Sequence, residues 1–249
     1  MIIRPIYNLL LLPDVSYYFK HEFFADFGID EQENDSDILF IFLKEEKENG
    51  EYTADDFYPV GLSARIDGVG EEDSIAVRTL ERVTITGLDD ENGHLTASFA
   101  LRPEADDLTE DEAKEQFSQL RASLLRFVQG YQWGLWARSF ILQRKNVHDL
   151  ACSLADYLNL SPEEKYNILA VDSRKARYAM ITAAINEFME IAKVSEEAQN
   201  AQKDNQEQLY REAAIKKQID YLQRELDEMH PENISDVRRF EKKIRESGM

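Results

Sequence analysis

The side chains of this chain that could do chemistry are four histidines and several groups of carboxylates. A compact zinc site favours two histidines four residues apart on one helix face, and the sequence has no such pair. The acidic triplets at 71–73 and 89–91 fall in predicted turns, where hydration explains them without an acid–base role. An enzyme that used these loops with a divalent metal would need their carboxylates to converge. We expect no catalytic residue and no metal site. The histidines are His21, His94, His148 and His230.

Two sequence motifs for nucleotide and acyl chemistry are absent from the chain. It has no G-x-x-x-x-G-K-[ST] loop, whose backbone amides and lysine would hold nucleotide phosphates. It has no G-x-S-x-G segment, which carries the nucleophilic serine of many hydrolases. We therefore expect no cofactor in this chain, and a function in binding rather than in catalysis.

Aromatic side chains are the natural tools for binding, and they cluster at two places. Six lie within eleven residues, more than one face of a strand or helix can bury: Tyr17, Tyr18, Phe19, Phe23, Phe24 and Phe27. Trp133 and Trp136 lie in the segment YQWGLW, beside Gly130 and Gly134. Exposed apolar patches mark partner surfaces, so both clusters are candidate substrate contacts. The alternative is that most of these rings lie in a core or in a close helix-packing site.

Residues 1–103 have the pattern of a β-rich domain, because short apolar runs alternate with turn residues. In the last run every second residue is apolar, which indicates a half-buried strand, and Asn92 with Gly93 supplies the tight turn before it. The predicted strands are Ile2–Leu12, Ile38–Leu43, Val60–Ile66, Ile75–Leu80, Val83–Leu88 and Leu95–Leu101.

Residues 109–194 change to helical spacing, which predicts a helical domain. Thr109 and Glu112 form a capping box at the start of its first helix. Ser161 is a stronger start signal, because Pro162 follows it at the first helical position and Glu164 at the third.

Residues 195–249 are predicted to contain the end of one very long helix and a coiled-coil hairpin. Asp172 or Ser173 caps the long helix, and neither glycine nor proline occurs from Ser173 to Met229, so it would reach roughly 85 Å. A flexible linker at 195–208 is the alternative. Steps of four and three residues separate the members of an apolar coiled-coil seam: Ile215, Ile219, Leu222, Leu226 and Met229.

The seam needs a partner, because apolar side chains stabilise a structure only when they are covered. Pro231 breaks the long helix and Ser235 can cap a second one, in which Val237, Phe240 and Ile244 repeat at helical spacing. This hairpin could bury part of the seam. The other interpretation is that the seam also meets another subunit, and the spacing alone does not distinguish the two.

Composition limits the partner and the compartment. The net charge is −20, and residues 203–249 hold 10 basic and 11 acidic side chains, so nearly all of the excess acid lies in residues 1–202. Such a surface repels phosphates, which argues against a nucleic-acid partner. No apolar run reaches the roughly 18–20 residues of a membrane span, so we expect no membrane contact. The single cysteine, Cys152, lies in an apolar helical run and is predicted to be a buried thiol in a reducing cytoplasm.

Several segments resemble the ATP-dependent protease family Lon. The tail YREAAIKKQIDYLQRELDEM, followed by VRRFEKKIRESGM, is similar to the segment before the Lon ATPase module. Upstream, DFYPVGLSARI, IAVRTLERVTITGL and LTASFALRPE resemble successive strands of the Lon N-terminal domain, and LADYLNLSPEEKYNILAVDSRKARYAMI resembles its helical part. The order of the segments is more specific than any one of them. Residues 1–56 match least, since the usual apolar strand leading to Phe-Pro-Gly is present only as NLLLLPDVSYYF.

The resemblance implies an α+β fold: a PUA-like β-rich domain, a helical bundle and a long C-terminal helix that ends in a coiled-coil hairpin. It implies a non-catalytic region that recognises unfolded or damaged proteins and helps to assemble a hexamer, or a dimer as a fragment. ATP, magnesium and the peptidase Ser-Lys pair would belong to ATPase and peptidase domains beyond this chain. The competing interpretation is a coiled-coil dimerisation or spacer module that buries its aromatic side chains.

Overall fold

The computed structural model describes residues 1–27, 36–47, 52–69, 74–91, 94–131, 133–229 and 243–244. Within them, six strands form one mixed sheet: β1 (Ile2–Ile6), β2 (Ser16–Lys20), β3 (Asp37–Phe42), β4 (Val60–Val69), β5 (Ser74–Glu91) and β6 (His94–Leu101). The strand order is β1-β3-β4-β5-β2, and β6 also pairs with β5. β1 is parallel to β3, and the other pairs are antiparallel. The chain therefore begins with the sheet half of an α+β fold, as predicted.

Five helices follow the sheet in the described part of the chain: α1 (Glu110–Val128), α2 (Gly134–Leu142), α3 (Val147–Ser153), α4 (Pro162–Ala170) and α5 (Arg174–Met229). The predicted capping box begins α1, because the Thr109 hydroxyl accepts from the Glu112 amide and the Glu112 carboxylate accepts from the Thr109 amide. Ser161 and Glu164 form the same box at α4. Two short 3-10 helices lie among the strands, at His21–Phe27 and Ala54–Asp56.

The long helix α5 is continuous over 56 residues, so residues 195–208 are helical rather than a flexible linker. Ser173 caps it, since the Ser173 hydroxyl accepts from the Ala176 amide at 2.9 Å. The chain divides into two compact units, Met1–Ile191 and Ala192–Met249, and α5 has residues in both. The predicted return helix of the hairpin lies outside the described residues, except for positions 243 and 244.

The N-terminal strand prediction was wrong in its length. β1 ends at Ile6, and Asn8 then takes a positive φ of 54°, a left-handed conformation that an extended strand does not contain. The apolar residues Leu10–Leu12 are nevertheless buried, because the chain crosses the core there without strand geometry. A strand that the sequence analysis did not predict, β2, follows and pairs with β5.

The two strands predicted at 75–80 and 83–88 are one strand, β5. Glu81 and Arg82 separate the two predicted runs, but both belong to the strand. The Glu81 amide donates to the Ser63 hydroxyl at 3.0 Å, and Arg82 is buried. The first half of β5 pairs with β2 and β4, and the second half pairs with β6. In β6 the predicted alternation holds only in part, because Phe99 and Leu101 lie exposed at the strand's end.

Two apolar cores lie on opposite faces of the sheet, and β3 contributes to both because its successive side chains point to opposite sides. The smaller core contains Leu39 and Ile41 with Val83. The larger core contains Phe40 and residues from all five helices, so the sheet and the helices of the first unit share one interior.

A pair of buried arginines joins the sheet to the helices. Arg82 on β5 and Arg177 on α5 are 2% and 0% exposed. Nη1 of Arg82 donates to the carbonyl oxygens of Leu169, Ala170 and Val171 at 3.0–3.2 Å. Arg177 donates to the carbonyl oxygens of residues 168, 169 and 171. The last carbonyls of a helix have no partner within it, so the two guanidinium groups satisfy the C-terminal end of α4 and complement its dipole.

Two carboxylates balance these buried charges. Asp172 accepts from Arg82 at 3.0 Å and from Arg102 at 2.7 Å, and the bond from Arg102 holds the pKa of Asp172 below its usual range. Glu104, in the segment between β6 and α1, forms an ion pair with Arg177 and lies 3.6 Å from Arg82 Nε. The β5 strand, the segment between β6 and α1, and the α4–α5 junction therefore meet at one charged cluster.

Replacing Arg82 with methionine is expected to reduce the free energy of unfolding by about 3–5 kcal/mol, because the carbonyls and carboxylates around it would lose their buried cation. Urea unfolding followed by circular dichroism measures the change. Arg78→Met is the matched control, since Arg78 lies exposed on the same strand and its replacement should change stability by less than about 0.5 kcal/mol. Equal effects of the two substitutions would contradict the role assigned to Arg82.

Stability is also expected to depend on His148, which burial keeps neutral. Burial lowers the pKa of His148 to about 4, and its Nδ1 lies 3.1 Å from the Pro13 carbonyl oxygen, to which it donates. The unfolded chain would protonate this histidine near pH 6.5, so between about pH 6.5 and 4 the unfolded state binds more protons. The free energy of unfolding should therefore fall over that window by up to about 3 kcal/mol.

The His148→Asn variant isolates this contribution, because the asparagine amide can still donate to Pro13 but does not titrate. Denaturant unfolding at several pH values between 4 and 7 should show a smaller slope of stability against pH for the variant. Identical slopes in the two proteins would show that other groups cause the acid sensitivity.

Candidate binding surface

The turn between α1 and α2, together with α2 itself, exposes large apolar side chains. Trp133 is 46% exposed, Leu135 86%, Trp136 67% and Leu142 48%. We call these four residues the α2 face. Several large exposed apolar residues on one short element are unusual, and exposed apolar surface of this kind marks a candidate site for another molecule.

The sequence of α2 explains why these side chains point outward. Gly134, Ala137 and Ile141 are spaced three and four residues apart and form the buried side of the helix. Leu135 and Trp136 therefore lie on the opposite side. Two of these three buried residues are small, so α2 buries little side-chain volume, while Leu135, Trp136 and Leu142 stay exposed.

Gly134 fixes the turn that carries the tryptophans. A Cβ at this position would lie 2.0 Å from the Val128 carbonyl oxygen, a distance that no side chain tolerates. The Gly134 amide also donates to the Tyr131 carbonyl oxygen at 3.0 Å. The close approach of α2 to the end of α1 thus requires glycine and determines where Trp133 and Trp136 lie.

Neighbouring aromatic rings hold the two indoles in place. The Trp133 ring centroid lies 4.8 Å from that of Tyr131, and the Trp136 ring stacks on Phe140 at 5.6 Å. The Arg144 guanidinium covers Phe140 at 4.7 Å from its centroid. Rings that are already packed lose little conformational entropy when they bind a partner, so the α2 face is preorganised.

The N-terminal aromatic cluster is mostly internal. Phe24 is fully buried, and Phe19 and Phe23 are half-buried and stack at 4.6 Å. Tyr17 is half-buried, and its hydroxyl donates to the Cys152 sulfur at 2.8 Å. Only Tyr18 among the five candidate residues described in this cluster is exposed, at 74%. Phe27 lies in the 3-10 helix at His21–Phe27, and the structure does not describe its side chain.

Cys152 has the character of a core residue. Burial raises the pKa of its thiol to about 12, and burial together with the nearby Cys152 raises the pKa of Tyr17 well above its usual value. A thiol that stays protonated at neutral pH is a poor nucleophile and a poor metal ligand. Among the described residues, no group of three or more histidine, cysteine or acidic side chains is placed to hold a metal ion.

The family of the chain follows from its sequence between residues 5 and 187, which matches the family described as the ATP-dependent protease La (LON) substrate-binding domain. This match covers well over half of the chain. The chain belongs to the Lon substrate-binding domain family. The α2 face lies inside the matched region.

Individual Lon proteins agree with this assignment. The chain is 24% identical over 229 residues to the Lon protease of Clostridium beijerinckii, a match that covers 90% of this chain and 29% of that protein. It is 26% identical over 209 residues to the Lon protease of Buchnera aphidicola subsp. Baizongia pistaciae, which covers 79% and 26%. The chain thus spans less than a third of the length of the curated Lon proteases that it matches.

The fold is also that of a solved Lon domain. The structure of the N terminal domain of Mycobacterium avium complex Lon protease aligns with a TM-score of 0.50 at 18% identity, and the alignment covers 76% of this chain and 96% of that one. Among the described residues of this Lon-family chain, no helix is both long and apolar enough to cross a membrane.

The predicted coiled-coil seam of this Lon-family chain lies on α5, in the second unit. All five seam residues are 47–62% exposed: Ile215, Ile219, Leu222, Leu226 and Met229. Their spacing of four and three residues places them on one stripe of the helix.

Leu135 and Leu142 of the Lon-family chain were not predicted as binding residues. The sequence contains the pattern that identifies them. Gly134, Ala137 and Ile141 have the spacing of a buried helix side, and positions 135 and 142 fall on the other side of that helix. Trp133 and Trp136 of the same segment were predicted as candidate contacts, with a close helix-packing site as the alternative.

Replacing Gly134 with alanine is expected to destabilise the domain by about 1–3 kcal/mol, because the new methyl group forces the Val128 carbonyl and α2 apart. Gly130→Ala is the matched control, since its Cβ would lie 3.8 Å from the nearest atom, and it should be neutral or slightly stabilising. Trp133 and Trp136 are the two tryptophans of the chain, so their fluorescence reports the same turn. An unchanged emission spectrum and stability in Gly134→Ala would contradict this packing.

Proposed function

We propose that this chain is the substrate-recognition region of a Lon-type ATP-dependent protease, which binds unfolded or damaged polypeptides for delivery to an ATPase and peptidase assembly. The observation that supports this proposal best is the α2 face. It presents two tryptophans and two leucines to solvent on α2 and the turn before it, inside the region that matches the family.

The chemistry of the α2 face fits an unfolded polypeptide. An unfolded chain exposes the apolar side chains that a native protein buries, so a surface of exposed apolar groups distinguishes the two states without a sequence motif. Tryptophan suits this role because it offers a large apolar area with few rotatable bonds. Such a surface binds many different segments with moderate affinity.

On this proposal, other parts of a Lon protease carry out catalysis. The chain carries no phosphate-binding loop, and it corresponds to less than a third of each Lon relative that it matches. We assign ATP hydrolysis and peptide cleavage to parts of a Lon protease that this chain does not include. Its own contribution is to hold the substrate close to them, which raises the effective concentration of substrate at the assembly.

The exposed seam on α5 favours a second role in assembly. Five half-exposed apolar residues on one stripe lose contact with water when a second helix covers them, which stabilises self-association. A pure dimerisation or spacer module would use the same seam. The two functions differ at the α2 face, which a spacer has no reason to expose.

Binding of a chemically unfolded protein and of its native form to the full 249-residue chain tests the proposal. We expect the unfolded form to bind more tightly, and the double variant Leu135→Ser/Trp136→Ser to bind at least tenfold more weakly, because it removes two central apolar contacts. Fluorescence anisotropy of the labelled unfolded protein measures the affinity. Leu101→Ser is the matched control, since Leu101 is an exposed leucine on β6.

A chain that ends at Val194 separates recognition from assembly. It should keep the preference for unfolded protein, whereas the full chain alone should self-associate in sedimentation experiments. If the shortened chain loses binding, the substrate surface lies on α5. If neither chain prefers the unfolded protein, the spacer function is favoured and the recognition role is wrong.

A further inference from the structure

The α2 face lies in a part of the chain that has the opposite charge to the rest. The whole chain contains 49 acidic and 29 basic residues, but residues 116–148 contain no acidic residue. The same segment contains five basic residues: Arg121, Arg126, Arg138, Arg144 and Lys145. It begins in α1 and includes all of α2. The exposed apolar residues therefore belong to a basic stretch of sequence in an acidic protein.

The structure shows which of these charges are available to a ligand. Arg144 is engaged internally, since it pairs with Asp149 at 3.2 Å and covers Phe140. Arg121 lies over the Phe117 ring at 5.1 Å. Arg138 is exposed on α2, and it forms no ion pair within the part of the chain that the structure describes. Its charge is thus the one most directly open to a partner on this helix.

Arg138 is also placed on the α2 face itself. It lies three residues after Leu135 and four residues before Leu142, so the three side chains follow one another along the same side of the helix. Arg126, exposed in the last turn of α1, adds a second cation near the α1–α2 turn. An apolar group bound on Leu135 and Leu142 would therefore have a guanidinium group beside it.

Screening decides whether this local charge or the acidity of the whole protein governs binding. At physiological salt the Debye length is about 8 Å, so exposed charges farther away than this act weakly on a bound segment. Arg138 acts at contact distance. For a segment seated on the α2 face, the nearby cation should therefore outweigh the distant carboxylates.

We propose that the α2 face selects unfolded segments in which a bulky apolar residue is flanked by acidic residues. This inference rests on the proposed function and specifies its substrate class. The apolar residue covers Leu135 or Leu142, and the neighbouring carboxylate accepts from the Arg138 guanidinium.

Three peptides with the same Phe-Leu centre and flanking glutamates, glutamines or lysines test the proposal. They contain no tryptophan, so quenching or a spectral shift of Trp133 and Trp136 in the full chain reports binding at the α2 face. At 0.15 M salt we expect the glutamate peptide to bind about two- to fivefold more tightly than the glutamine peptide for each charge contact, and the lysine peptide to bind most weakly.

Variants at Arg138 and at the control position Arg78 show whether the charge of Arg138 sets the order of the peptides. Arg138→Glu should reverse the order of the glutamate and lysine peptides, and Arg138→Gln should remove the difference between the glutamate and glutamine peptides. Arg78→Glu changes the net charge by the same amount as Arg138→Glu but at an exposed position on the sheet, so it should leave the order unchanged. Circular dichroism checks that each variant is folded.

The outcomes separate this inference from the proposed function. Equal affinity for all three peptides, abolished by Leu135→Ser/Trp136→Ser, would overturn the charge selection and support apolar recognition of substrate. Tightest binding of the lysine peptide, in the wild-type chain and in both Arg138 variants, would show that the overall acidity governs binding and would overturn the selection. Failure of every peptide to bind would overturn both proposals.

Discussion

The relative position of the sheet and the helices depends on two buried guanidinium groups. Arg82 reaches from β5 and Arg177 from α5, and both donate to carbonyl oxygens at the end of α4. Two buried like charges are unfavourable by themselves, and burial together with the charge of Arg177 lowers the pKa of Arg82. Glu104 and Asp172 supply the opposite charge. Since these groups come from β5, from the segment between β6 and α1, and from the α4–α5 junction, the cluster forms only when these parts of the first unit are brought together.

A further charged contact ties α1 to α5. Arg174, in the first turn of α5, donates to Glu110, in the first turn of α1, at 2.8 Å, so the start of α1 is tied to the start of α5. α1 packs its buried side on the main core and ends at the turn that Gly134 closes. The α2 face is thus fixed at one end of a helix whose other end is held by charged contacts, and a rigid helix positions binding residues more accurately than a loop does.

The two aromatic clusters had similar patterns in the sequence and have different surroundings in the structure. Phe19, Phe23 and Phe24 are packed together because β2 pairs with β5 and brings them onto the main core. Trp133 and Trp136 stay exposed because the small residues Gly134 and Ala137 take the buried side of α2. Local composition gives the apolar character of a residue, but its exposure depends on which element packs above it.

The sequence by itself determined the features that depend on neighbouring residues along the chain. These include the capping boxes at Thr109 and Ser161, the α+β order of elements and the family resemblance, because each follows from local spacing or from an ordered set of segments. Only the tertiary structure decided that the polar pair at 81–82 lies within one long strand, that Arg82 and Arg177 are buried together, and that Trp136 is exposed while Phe24 is not. These properties arise from contacts between residues far apart in sequence, and the free energy of such contacts is absent from any local pattern.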